Sequence, residues 1–322
     1  MSLASMETLL TALRACAEPT RFRLVALAAR GVFCVVELTD ILGQSQPRLS
    51  RHLKLLCDAG VLERVREGSN VWFGLPPEAG MVHELLARVP EDDPVLAADR
   101  RAAARVVAER ARVASASFVK QGADWDEMRA LALPAGVIEE AVLSLLPAEG
   151  VGQVLDIGTG TGRMLELLAP RVRSGLGVDA SRAMLALARA RLSKPGLGHL
   201  SVRQADMYSL PVARRFDLVL MHMVLHYAED PAAALAEATR VLAPGGTLIV
   251  VDLLRHDWTA VTDRLAHRWP GFGDDEMAGL VKDAGLRPEK ALSVNGTLET
   301  RLWAATLPMG AVAETQEMEF AL

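Results

Sequence analysis

The sequence predicts a two-domain α/β chain. A small helical module closed by a hairpin comes first, then a helical connector, then an open parallel sheet ending in an antiparallel hairpin. Three observations carry this reading. Apolar spacing suited to short helices fills residues 3–58, and two strand-like runs then flank Gly68-Ser69-Asn70. After residue 152 the short apolar runs QVLDI, SGLGVD, LSVRQAD, FDLVLMH and TLIVVD alternate with helix-like segments, the pattern of strands covered on both faces. Near the end, Asn295-Gly296 sits between two further strand-like runs, as in a hairpin at a sheet edge.

With 322 residues the chain has room for about two domains. The stretch VPEDDPV (89–95) reads as one boundary and LPAEGVG (146–152) as a second. The expected division is 1–90 for the first module, 91–147 for a helical linker and ligand lid, 148–307 for the sheet domain, and 308–322 for a tail. The composition is 51% hydrophobic and 23% charged, enough for real cores. Aromatics are only 4%, so those cores are built from Leu, Val and Ala. No run of about 18 uncharged apolar residues exists, so no membrane span is expected. There is no basic start followed by a long apolar run, so no secretory signal is expected. Three cysteines, all before residue 60, make no disulfide framework and point to a reducing cytoplasm. Residues 1–90 hold 10 basic against 9 acidic side chains, and the remainder holds 25 against 31. The net charge of −5 therefore belongs to the larger second part. A near-neutral module still binds DNA if its cations share one face.

The elements of the first module follow in order. A helix over residues 3–17 is ended by Pro19, and TRFRLVALAAR forms the next, stopped by Gly31. VVELTDILG is a short third helix, and Gly43 gives the turn. Ser45 can cap the helix that begins at Gln46, with Pro47 in its first turn. Leu49, Leu53 and Leu56 share the inner face of this helix. Ser45, Gln46, Arg48, Arg51 and His52 remain for base edges and phosphates. GVLERVREGSNVWFGL then makes a hairpin wing with Arg64 and Arg66 on its first strand. Helix, turn, polar helix and basic wing together read as a winged helix-turn-helix, with a solvated protein-interaction module as the alternative.

Residues 8–88, through EPTRFRLVALAARG, VVELTDILGQSQPRLSRHLKLLCDAGVLERVREGSNVWFGL, resemble the ArsR/SmtB winged-helix repressors. The resemblance implies a homodimer joined through the first helix and AGMVHELLARV. Such a dimer would read half-sites of duplex operator about 34–36 Å apart. Many relatives sense metals through Cys-Val-Cys, but here the sequence is Cys34-Val35-Val36. A lone thiol is a poor Zn(II) or arsenite site, so no metal is assigned, and Cys16 and Cys57 are read as packing residues.

In the second domain, GQVLDIGTGTGRMLELL sets a strand, an acid, three glycines and a helix in sequence. A dinucleotide loop would place its third glycine at 163, where the chain has Arg163. The glycines instead stand at 158, 160 and 162, two residues beyond Asp156. That loop permits close backbone approach without cradling a pyrophosphate. It suits S-adenosylmethionine (SAM), with Asp156 toward the ligand's ammonium group. Asp179, followed by Ala180, can accept both ribose hydroxyls. Asp206 can accept the adenine amine and Met207 can cover the ring. Met221 and His222 would border the methionine portion. Together these motifs strongly resemble the class I SAM-dependent methyltransferases over about 120–307, with a Rossmann-like sheet and closest in flavour to ubiquinone/menaquinone-biosynthesis enzymes. FVKQGADWDEMRAL resembles the segment that lies over SAM in that family. Trp125 is accordingly a lid over the ligand or an anchor for its own helix.

Methyl transfer needs little beyond alignment, so the absence of an obvious base does not exclude an enzyme. His222 or His226 could serve as a base or, as a pair, bind a metal; packing of His226 at the VLHY turn is the plainer reading. No cysteine lies beyond residue 57, so the thiolate chemistry of arsenite methylation is missing. The expectation is a transcriptional regulator of repressor type sensing SAM or S-adenosylhomocysteine (SAH) and acting on methionine and SAM-cycle genes. The alternative is an active small-molecule methyltransferase with an appended winged helix. Residues 91–135 would either transmit the signal as ligand seats Trp125 or connect passively.

Overall fold

A computed structural model describes residues 5–67, 70–76, 79–120, 133–194, 196–212, 215–258 and 267–309. The first module opens with α1 (Met6–Cys16) and α2 (Pro19–Ala28). Glu18 caps α2 by accepting the Arg21 N–H at 2.8 Å, and Pro19 takes the first turn, where a missing N–H costs nothing. Strand β1 (Phe33–Cys34) leads into α3 (Val35–Leu42), which Gly43 ends in a left-handed conformation at φ 64°. Helix α4 (Gln46–Asp58) follows. Ser45 holds the position before it in an extended conformation, but its side chain accepts no N–H from the first turn, so the expected side-chain cap is not made. Strands β2 (Glu63–Glu67) and β3 (Asn70–Gly74) form the wing, with β1 antiparallel on the far side of β3. Leu24, Leu27, Leu49, Leu53 and Leu56 are buried at the centre of this module.

Two helices follow, α5 (Gly80–Leu86) and the long α6 (Pro94–Lys120). Asp93 starts α6 by accepting the Val95 and Leu96 N–H groups at 3.1 and 2.9 Å. The first half of α6 is not a solvated rod. Ala103 and Val107 are buried in the core of the first module. Asp99 is buried against α2, where it takes a two-pronged bond from Arg23 at 2.7 and 2.6 Å. A bidentate pair of this kind fixes helix register as well as adding energy.

The second domain comprises α7 (Ala135–Ser144), β4 (Val151–Ile157), α8 (Arg163–Leu168), β5 (Val172–Asp179), α9 (Arg182–Leu192), β6 (Leu200–Gln204), β7 (Phe216–His222), α10 (Pro231–Arg240), β8 (Leu242–Leu253), α11 (Asp274–Asp283), β9 (Arg287–Val294) and β10 (Thr300–Thr306). The sheet order is β6-β5-β4-β7-β8-β10-β9. Strands β4 to β8 are parallel, while β10 runs antiparallel to both neighbours. This is an open Rossmann-like sheet closed at one edge by an antiparallel hairpin. Residues 295–299 join the last two strands, a longer loop than the two-residue turn that Asn295-Gly296 alone would make. Apolar clusters cover both faces of the sheet, as its continuous hydrophobic strands require.

The chain winds outward from β4 to β6 and then returns to place β7 on the other side of β4. Ligand crevices form at such a reversal, beyond the carboxyl ends of the strands. Helix α9 lies along α6, and Ala190 packs into the core of the first module. Among the described residues no helix is long and apolar enough to cross a membrane.

Candidate functional site

At the reversal point β4 ends in Asp156-Ile157, and the chain turns through Gly158, Gly160 and Gly162, all left-handed at φ 73°, 52° and 75°. Glycine is required here for a second reason. A Cβ on Gly158 would lie 2.4 Å from the Val224 side chain. Backbone N–H groups of Gly158 and Thr159 donate to the Val178 carbonyl at 2.8 and 2.9 Å, which ties the loop to β5. Asp179 completes the tie: its Oδ2 accepts the Gly160 N–H at 2.9 Å and its Oδ1 the Ser181 N–H at 2.7 Å. Each oxygen keeps capacity for a further donor.

Asp156 is buried and its Oδ2 accepts the Thr159 hydroxyl at 2.6 Å. Burial pushes its carboxyl up to about 7, against the Thr159 bond, and the Asp179 charge adds to the rise. Burial also raises Asp179, opposed by its two backbone bonds. Two nearby carboxyls held toward their neutral forms would gain from a cation placed beside them, which favours their ionised forms.

The sequence placed ligand contacts along the same rim, and the structure sorts them. Asp206 is exposed beyond β6, and its Oδ1 accepts the Tyr208 N–H at 3.0 Å. Met207 is half-buried against the neighbouring apolar cluster. Ala180 is exposed, and its carbonyl accepts from the Gln204 amide at 3.0 Å. Met221 does not border the crevice. Its side chain is wholly buried in the core on one face of the sheet, because strand alternation turns it inward. His222 is half-buried at the end of β7. Its imidazole is held down to about 4 by burial, outweighing the raising influence of Asp252 and Glu139. Trp125 lies outside the described residues.

Beyond β7, Met223 adopts a left-handed φ of 52°, rare for such a side chain. The turn then buries His226 completely. Its Nδ1 lies 2.7 Å from Asp252 Oδ1, and Asp252 Oδ2 accepts the His226 backbone N–H at 3.1 Å. Among the described residues His226 Nε2 has no hydrogen-bond partner. The His267 ring packs 4.1 Å from it, and its imidazole is also pushed down to about 4, chiefly by burial. The pairing of His226 with Asp252 was not legible in the sequence. It depends on β7 and β8 being neighbours, a fact of topology.

On the first module, Gln46, Arg48 and Arg51 are exposed on α4 while Leu49, Leu53 and Leu56 face inward, as their spacing requires. Ser45 is exposed at the head of the helix. His52 departs from expectation. Its side chain turns back toward α2, with Nδ1 3.6 Å from Glu18, because position 52 borders the buried leucine stripe. Ser50 and Lys54 are exposed on this helix and were not singled out from sequence. On the wing, Arg64 and Arg66 alternate outward on β2. Glu67, at the tip end of the same strand, is buried against the second domain. Burial raises the thiols of Cys16, Cys34 and Cys57 and favours their neutral form.

Comparison with known proteins agrees with this two-part construction. Residues 18–64 match the model for bacterial regulatory proteins of the arsR family, and residues 155–250 match a methyltransferase domain. A trans-aconitate 2-methyltransferase of Methylobacterium nodulans is 37% identical over 132 residues, 40% of this chain and 49% of the relative. A ubiquinone biosynthesis O-methyltransferase of Cereibacter sphaeroides is 31% identical over 157 residues, 44% of this chain and 63% of the relative. In neither case does the chain span two thirds of the relative's length. Among solved structures, N-methyltransferase NodS from Bradyrhizobium japonicum superposes with a TM-score of 0.46 at 23% identity, covering 54% of this chain and 96% of NodS.

Proposed function

We propose that this chain, an arsR-type helix-turn-helix joined to a methyltransferase domain, is a homodimeric transcriptional regulator whose grip on operator DNA is set by SAM or SAH. The observation that carries the reading is the shared packing of its two parts. The module with the exposed groove-reading helix and the domain with the crevice meet through α6, α9 and the wing. A ligand that distinguishes two arrangements of that interface changes DNA affinity by its differential binding. Dimerisation is supported by the apolar face of α1, where Met6, Leu9 and Leu10 are 78%, 41% and 38% exposed. The three free cysteines suit the reducing cytoplasm, where duplex is available. Methionine and SAM-cycle genes are the targets that such a sensor would serve.

The crevice residues fit the ligand's chemistry. Asp179 offers acceptors to ribose hydroxyls, and the left-handed glycines of the turn suit a backbone that comes close to a ligand. Asp156 is a buried carboxyl held up to about 7, and no cation among the described residues lowers it. The ammonium of SAM or SAH would favour its ionised form. Affinity for SAH is therefore expected to rise as pH increases from 6 toward 8 and then level off, with net proton release in titrations below about pH 7. The Asp156→Asn variant should show a flatter profile. Calorimetry in two buffers of different ionisation enthalpy measures both quantities.

DNA recognition predicts a separate outcome. Replacing Arg48 and Arg51 together by alanine should weaken duplex binding by about 100-fold and reduce the magnitude of the salt slope by about 2 if both meet phosphates. SAH affinity should be unchanged. Fluorescence anisotropy over a salt series distinguishes loss of contacts from loss of fold. The reading as a whole is tested by titrating SAM and SAH with and without duplex: a ligand-dependent change in duplex affinity without turnover supports it.

A second reading is favoured by His226 and Asp252. An imidazole oriented by a buried carboxylate, with no partner for its other nitrogen among the described residues, is the arrangement of a proton acceptor. Bound SAM supplies an electrophilic methyl, and His226 would hold the acceptor's proton. Transfer of label from SAM to a small-molecule acceptor, lost in His226→Gln, supports this enzyme.

A further inference from the structure

The wing of a helix-turn-helix module is expected to present cations to phosphate. Here the strand that carries exposed Arg64 and Arg66 ends in Glu67, and this acid is turned into the second domain. Its Oε2 accepts from Arg189 Nη2 at 2.6 Å, with both side chains 5% exposed. Its Oε1 accepts the backbone N–H of Gln204 at 2.8 Å. The Arg189 guanidinium lies 4.0 Å over Trp72 of β3, and Arg110 of α6 lies 4.9 Å from the same ring. Arg110 in turn pairs with Glu37 of α3 at 2.7 Å. One cluster of charges around an indole thus joins the wing, the long helix, the helix before the recognition helix, and α9.

Gln204 is not a neutral anchorage. It ends β6 directly opposite Asp179 in the parallel register. The next residue, Ala205, donates its N–H to the Asp179 carbonyl at 3.2 Å, and the Gln204 side chain donates to Ala180. The wing therefore grips the strand ends that form the adenosine side of the crevice. Two residues further on stands Asp206. A buried ion pair is costly to separate and costly to leave half-made, so its members sit together or are released together. That is the behaviour of a two-position element, which coupling between distant sites requires.

We propose that Glu67, Arg189 and Trp72 form a latch through which occupancy of the adenosyl crevice positions the wing and so sets the chain's affinity for duplex DNA. The proposal rests on the regulator reading above and names its route. The signal passes from Asp179 to the adjacent Gln204 and from Gln204 directly into Glu67 of the wing, without passage through Trp125.

The test uses the full-length chain and a duplex selected on it from a random pool, with SAH and SAM as the ligand probes at fixed salt. Two variants are compared with wild type. Glu67→Gln removes the charge and keeps an acceptor for Gln204. Glu67→Met with Arg189→Met replaces the pair by apolar side chains of similar length, which preserves folding where a single truncation would strand a buried charge. In wild type, SAH or SAM should change duplex affinity by about tenfold, within the usual range for coupled sites. In both variants the change should fall below about twofold, while SAH affinity measured without DNA stays within about threefold of wild type. Hydrogen exchange over residues 62–75 should respond to SAH in wild type and not in the double variant. If wild type shows no ligand effect on duplex affinity, the regulator reading falls and the latch with it. Should wild type respond and the variants respond equally, the latch alone is overturned. A wing whose exchange responds to SAH in the double variant as in wild type overturns it as well.

Discussion

Replacing Asp179 by alanine is expected to lower SAH affinity by about 100-fold. Asp179 is where three dependencies meet. Its carboxylate holds the Gly160 N–H, which keeps the glycine turn closed over the end of β4. It holds the Ser181 N–H, which fixes the start of α9. In the proposed complex it also accepts two ribose hydroxyls. A hydrogen bond to a charged group contributes about 1.5–3 kcal/mol. Losing two such bonds is partly offset, because burial already disfavours the ionised carboxylate. A net loss of about 3 kcal/mol corresponds to about two decades of affinity. Asp179→Asn keeps an acceptor oxygen and should lose about tenfold. Calorimetric titration of SAH measures the binding, and circular dichroism checks that the sheet persists. Unchanged affinity in Asp179→Ala would remove the crevice from consideration as an adenosyl site. The duplex affinity of the unliganded variant should remain near that of wild type, since Asp179 touches the wing only through Gln204.

Much of this was legible in the sequence, for reasons that can be named. The leucine spacing at 49, 53 and 56 fixes which face of α4 is exposed, so Gln46, Arg48 and Arg51 were readable as outward-facing. The distances from Asp156 to the three glycines, and from the loop to Asp179, are local, and the strand-turn-helix unit that contains them forms as read. Side chains that depend on a neighbour from elsewhere were not readable. His52 has helical spacing for either face, and Glu18 draws it inward. Met221 ends a continuous apolar run, and only the packed sheet settles that its side chain faces the core. Glu67 looks in sequence like an ordinary charge on a polar hairpin. Its partners Arg189 and Gln204 are 122 and 137 residues away, and only the docking of two domains brings them together. The one local hint was an acid at the wing tip, where a DNA-binding hairpin would gain from a cation.

Asp252→Ala is expected to cost about 3–5 kcal/mol of stability, the range for removing one partner of a buried charged or polar pair. The site offers no route for solvent to compensate. Asp252 and His226 are both fully buried. Besides the His226 ring, the carboxylate accepts the backbone N–H of His226 and that of Leu253, the latter at 2.8 Å. Truncation leaves these donors without partners and opens a void at the ends of β7 and β8. For a domain of this size the loss corresponds to a fall in melting temperature of about 10 °C. Asp252→Leu combined with His226→Leu removes donors and acceptor together, so it should recover a large part of that loss, although the two backbone donors remain. The double variant also separates the two functional readings. If the pair only builds the turn after β7, the double variant keeps SAH affinity and the ligand response of the wild-type chain. If His226 accepts a proton from a methyl acceptor, label transfer disappears in a protein that still folds and still binds SAH. Thermal denaturation and labelled-SAM turnover on the same preparations therefore assign the dyad to architecture or to chemistry.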